Sequence, residues 1–139
     1  MTNREFFSKI SFYFENAPSR IHKQTDEALL GKVKEYLIQL KPRKMWEEKG
    51  IINKKTKANV YIDFAMVLEG RLIVCEVERS NLASKFSLFD GMKIFDEIWF
   101  FTDIPAEKNW LHYKFENNLK IKQKFFGLNK KGEVIEIKH

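Results

Sequence analysis

Cysteine is nearly absent from this chain, and Cys75 is the only one. An internal disulfide is therefore excluded, and the thiol is expected to pack as a small apolar residue in a reducing, cytoplasmic setting. With one cysteine and only His22, His112 and His139, no zinc-ligand spacing exists. Three prolines and six glycines leave no linker or breaker-rich stretch, so residues 1–139 read as a single domain. No apolar run approaches the roughly 20 residues of a membrane span, so no membrane partner is expected. The start, Met1-Thr-Asn-Arg-Glu-Phe-Phe, has no signal-peptide pattern. Arginine is scarce too, five residues in all, which argues against bidentate reading of base edges.

What is present is lysine, aromatic residues and a small set of misplaced acids. Lys plus Arg number 25 against 19 Asp plus Glu, a net charge of +6. Such a balance suits a polyanionic partner, nucleic acid before membrane. Lysines that only keep an aromatic-rich protein soluble would give the same number. The basic residues cluster at 41–57 (Lys44, Lys54, Lys55 and Lys57 among them) and again at 108–131.

Residues 60–79 read as a hairpin of two apolar strands turning at Glu69-Gly70. Asp63 interrupts the first strand, and Glu76 and Glu78 interrupt the second. Residues two apart share a strand face, so Glu76 and Glu78 point the same way, and cross-strand pairing brings Asp63 beside them. The remaining positions are apolar on both faces, as in a covered central sheet. Acids in such strands are costly to desolvate and repel one another unless a cation lies between them. A divalent-metal site is the simplest reading, and an ordinary wet sheet face is the competing one.

Around the hairpin, residues 3–15 suggest a short helix or an irregular lead-in. Leu29, Leu30, Val33, Tyr36, Leu37 and Leu40 form a helical stripe over 25–39, capped by Thr25 or Asp26 and stopped by Lys41-Pro42. A strand is expected at 44–52, a helix at 81–95, a strand at 97–102 and a helix opening at Pro105. Two short strands follow around Asn129-Lys-Lys-Gly132. The class is α/β, with helices on both faces of a small mixed sheet and a C-terminal β-hairpin extension. Trp46, Trp99 and Trp110 sit in apolar patterns and read as core.

This order (α-β-β-β-α-β), with Asp63 on the second strand and Glu76-Val77-Glu78 on the third, resembles the restriction-endonuclease-like PD-(D/E)XK nuclease superfamily. The resemblance covers about residues 25–102. The run Glu76-Val77-Glu78-Arg79-Ser80 is similar to the strand end of replication-relaxation proteins of plasmids and related mobile elements. Ile62 stands where the family has proline, and Glu78 where it has lysine. Some restriction enzymes of the superfamily carry Glu-x-Glu, and other members with broken motifs only bind nucleic acid.

The resemblance implies a metal-dependent DNA endonuclease of a mobile element, phage, virus or plasmid, or else an inactive DNA-binding protein of the same fold. Asp63 and Glu76, with the Val77 carbonyl, would hold Mg2+ or Mn2+, and Glu78 would be a second ligand or the base. Asp26, at the start of the first helix, would complete the metal site. Lys85 would reach the scissile phosphate, or be a solvated helix lysine. His22 and Arg79 join Lys44, Lys54, Lys55 and Lys57 as candidate DNA contacts. Duplex-cutting members often act as dimers, so a homodimer is a further expectation.

Overall fold

The computed structural model describes residues 2–19, 27–57, 59–78, 86, 89, 92, 94–105, 117 and 119–137. Helix α1 spans Asn3–Asn16, and the Thr2 hydroxyl accepts the Glu5 amide at 3.1 Å, closing its first turn. Its mixed apolar spacing has a simple source. Phe14 is fully buried and Phe6, Phe7, Ile10 and Tyr13 lie against the core, whereas Phe12 faces outward, 73% exposed. Helix α2, Glu27–Gln39, buries Leu29, Val33 and Leu37, residues four apart on one stripe. Lys41 follows with φ 56°, the left-handed residue that commonly ends a helix, and Pro42 prevents resumption.

Six strands form one sheet in chain order: β1 (Lys44–Ile52), β2 (Asn59–Leu68), β3 (Arg71–Val77), β4 (Glu97–Pro105), β5 (Lys122–Leu128) and β6 (Val134–Ile137). The pairs β1–β2, β2–β3 and β5–β6 are antiparallel, and β3–β4 and β4–β5 are parallel. Glu69 and Gly70 both take positive φ (52° and 76°), as a two-residue turn between right-twisted strands requires. The β1–β2 turn is built on Asn53, whose side-chain oxygen accepts the Lys55 and Thr56 amides at 2.9 and 3.3 Å.

Strand β4 departs from expectation. It runs through Pro105, where a helix was to open, and its ladder to β5 shifts register between Phe101 and Pro105. At the last strand position proline has little ladder bonding to lose. The expected helices at 81–95 and beyond Pro105 fall mostly outside the described residues. Phe86, Phe89 and Met92, from the expected apolar side of the first, are nonetheless buried.

Both sheet faces are covered. Ala65, Val67, Leu72, Val74, Ile98 and Phe100 pack with Phe14 of α1, Phe86 and Phe89 on one side. Phe64, Met66, Ile73, Cys75, Trp99 and Phe101 lie under Leu29, Val33 and Leu37 of α2 on the other. The molecule is thus mixed α/β with a helix on each face of a mixed sheet. Across the parallel β4–β5 pair, Phe100 stacks on Phe125 (5.5 Å) and Phe101 on Phe126 (4.4 Å). No helix among the described residues is long and apolar enough to cross a membrane.

Candidate metal centre

The tight turn at Glu69-Gly70 fixes the β2–β3 register, which runs from Leu68↔Arg71 to Phe64↔Cys75. One step further stand Asp63 and Glu76, and there the carboxylates take over the bonding. The Asp63 N–H donates to Glu76 Oε1 at 3.2 Å, and the Val77 N–H donates to Asp63 Oδ2 at 2.8 Å. Both residues are buried, 4% and 1% exposed. Each acid is therefore held by main chain of the opposite strand, so its direction is set by the sheet rather than by a mobile side chain. Burial, followed by the nearby negative charges of Glu76 and Asp63, pushes the Cys75 thiol well above its ordinary range.

Glu78 lies just past the end of β3. It is half-buried, and its N–H donates to the Phe101 carbonyl at 2.9 Å, extending the β3–β4 bonding by one residue. Among the described residues no three His, Cys, Asp or Glu side chains are grouped to share a metal ion. What these residues bring together is the Asp63–Glu76 pair. Asp26, His22, Arg79 and Lys85 lie outside the described residues. Two adjacent carboxylates are hard oxygen donors and suit Mg2+ or Mn2+, for which one or two protein carboxylates plus water and phosphate suffice.

One neighbour carries no sequence signal. Glu48, on β1 between the pairs Glu47↔Phe64 and Lys49↔Ile62, stands level with Asp63 and has φ 54°. A non-glycine residue with left-handed φ inside a strand is uncommon and costs energy. Sequence reading takes Glu47 and Glu48 together as solvated or lysine-paired. Glu47 does pair with Lys34 at 3.1 Å, whereas Glu48 is half-buried at the level of Asp63.

The lysines divide into two groups. Lys44 lies 3.6 Å from Glu15, at the end of β1 remote from Asp63. The Trp46 indole N–H, then Lys44 and Lys49, hold the Glu15 carboxyl below its usual range against the opposing effect of desolvation. From the second cluster, Lys122 lies 3.5 Å from buried Glu97, and Lys124 lies 3.6 Å from Glu136 and over the Trp99 ring. Those cations serve the protein's own acids. Lys54, Lys55 and Lys57 are exposed on the β1–β2 turn. Trp46 and Trp99 are buried core residues.

Two open clefts lie elsewhere. One of about 400 Å³ is lined by Phe6, Phe7, Leu40, Arg43, Val67 and Gly70 among others, and one of about 370 Å³ lies between α2 and the β5–β6 turn. Neither includes Asp63 or Glu76. Comparison with protein-family models, with curated proteins and with solved structures finds no match to this chain.

Proposed function

We propose that this chain is a metal-dependent deoxyribonuclease with a restriction-endonuclease-like core, acting on phosphodiester bonds for a mobile element, phage or plasmid. The observation that carries the reading is the buried Asp63–Glu76 pair, each carboxylate oriented by a backbone amide across the β2–β3 ladder. Its setting supports it: α2, three antiparallel strands and then a parallel β4 follow the order expected of that core.

Asp63, Glu76 and the Val77 carbonyl would hold Mg2+ or Mn2+. When bound, the cation would polarise the scissile phosphate and lower the pKa of a coordinated water. The Val77 and Asp63 amides each fix one carboxylate oxygen, so part of the orientation that binding needs would already be in place. Glu78, half-exposed beyond the strand end, accepts the proton of the attacking water or orients it. Surface lysines neutralise the flanking phosphates. Cutting both strands of a duplex would call for two copies of the chain.

A second reading has its own support. Glu78 occupies the position where the superfamily has its lysine, and a chain lacking that cation would bind DNA without cutting it. Incubation with supercoiled, linear, single-stranded and branched DNA in Mn2+, Mg2+ or EDTA separates the two. The nuclease reading expects cleavage in Mn2+ or Mg2+, and none in EDTA or with Asp63→Asn. Salt-sensitive binding without cleavage in any metal leaves the binding protein. Neither cleavage nor salt-sensitive binding eliminates both.

A further inference from the structure

The β1–β2 hairpin is longer than its neighbour. Strand β3 ends at Val77, level with Ile62, while β1 and β2 stay paired for three further residue pairs, out to Ile52↔Asn59. The hairpin end thus runs past the end of β3 at the same end as the Asp63–Glu76 pair, as β4 does through Pro105 on the other side of β3. At about 3.3 Å per residue, Asn59 stands about 13 Å from Asp63 along β2.

The end of the hairpin has a one-sided composition. Residues 49–62 contain four lysines and no acid. Lys54, Lys55 and Lys57 are exposed, and among the described residues no carboxylate pairs with Lys54 or Lys57. The turn is nonetheless shaped, since buried Asn53 ties the Lys55 and Thr56 amides and its carbonyl accepts the Lys57 amide at 2.6 Å. Ordered backbone carrying cations loses little entropy on meeting a fixed array of phosphates.

Duplex and single strand make different demands. Single-strand binders lay bases on aromatic platforms, and residues 52–59 hold no aromatic residue. Trp46 and Trp99 are buried as well. The lysine-bearing turn lies beyond Asn59, so its backbone stands more than about 13 Å from Asp63 along the hairpin, on the order of the major-groove width of about 12 Å. We infer that the β1–β2 tip is a duplex clamp: Lys54, Lys55 and Lys57 grip the phosphates across a groove from the one presented to Asp63 and Glu76. This rests on the DNA reading above and adds to it the duplex, the contact residues and the spacing.

The test uses the whole protein in EDTA, so that cleavage plays no part. Fluorescence anisotropy measures binding of a labelled duplex, and of one of its strands alone, over a range of salt. The clamp expects tighter binding of duplex than of single strand. The triple variant Lys54→Gln, Lys55→Gln, Lys57→Gln should bind duplex roughly tenfold or more weakly at low salt. Its slope of log affinity against log salt should be shallower by about 2 to 3, as for three lost phosphate contacts. The double variant Lys130→Gln, Lys131→Gln, in the exposed β5–β6 turn, should stay within about twofold of wild type. Unchanged binding by the triple variant, equal losses in both variants, or a preference for single strands overturns the clamp. Metal-dependent cleavage that needs Asp63 but not the tip lysines would overturn the clamp and leave the nuclease. Loss of duplex affinity in the triple variant of a protein that never cleaves would do the reverse.

Discussion

Asp63→Asn separates charge from geometry at the acid pair. The amide oxygen can still accept the Val77 N–H, now at 2.8 Å, and the backbone N–H still reaches Glu76. The negative charge is lost, and the second carboxylate oxygen becomes an N–H donor. Two unit negative charges on neighbouring strands, taken at about 5 Å, would repel by about 3 kcal/mol at an effective dielectric constant near 20. Relaxation and neighbouring charges leave about 1–2 kcal/mol of that to be regained by neutralising one acid. At about 3–4 °C per kcal/mol for a chain of this size, the variant should melt about 3–8 °C above wild type in EDTA. Manganese should reverse the ranking. Wild type gains about 2.7 kcal/mol at a hundredfold excess over Kd, while the variant, with half the carboxylate pair neutralised, gains little. Thermal melts by circular dichroism in EDTA and in rising Mn2+ measure both effects. Asp63→Ala is the control, since it orphans the Val77 amide and should lose about 1–3 kcal/mol. A variant that melts below wild type in EDTA, together with a wild type indifferent to Mn2+, would refute the reasoning. The pair would then be balanced by the protein's own cations and would serve to lock the hairpin.

Three further outcomes are expected. Glu78→Gln should slow metal-dependent cleavage by about 100- to 10,000-fold, as for a lost general base, whereas Glu78→Lys should retain activity; gel assays of plasmid nicking decide. Phe100→Ala removes a fully buried ring packed at 4.9 Å on Phe86 and 5.5 Å on Phe125, and should cost about 3–5 kcal/mol in a urea titration. Cys75 should resist thiol reagents until the protein is unfolded, because burial and adjacent acids hold it protonated. As pH rises past the ordinary thiol value, the unfolded chain ionises while the folded one does not. Stability should therefore fall there, and Tyr36, raised by burial and then by Glu136, acts in the same direction.

The parts of the fold legible in the sequence are those fixed by neighbours along the chain. β1 was expected at 44–52 and the hairpin turn at Glu69-Gly70, because alternation and turn chemistry are local properties. The α2 stripe is likewise local. Long-range features were not readable. Glu97 opened an expected strand and nothing more; in the structure it is 2% exposed between Arg71 and Lys122, residues at the starts of β3 and β5. That burial follows from parallel register, which no local pattern encodes. The extension of β4 to Pro105 was missed because a fixed proline φ suits a strand end as well as a first helical turn. At the candidate site, the meeting of Asp63 and Glu76 was legible from the two-residue turn and strand period. The left-handed Glu48 at the level of Asp63 was not, since backbone strain leaves no mark on residue type.

The sequential strand order has a consequence for how the molecule is made. Each strand joins the edge left by the one before it, and none inserts between two already in place. A chain leaving the ribosome can add β1, β2 and β3 in turn as a local meander, with little loop-closure entropy at each hairpin. Asp63 and Glu76 would meet in that first half. Phe100, Phe101, Phe125 and Phe126 come only with β4 and β5, so a nascent three-stranded sheet would hold Asp63 on its middle strand and Glu76 on its open edge, with that aromatic layer still to come. A charged Glu76 on the exposed edge strand would work against pairing with another copy until β4 arrives to cover it.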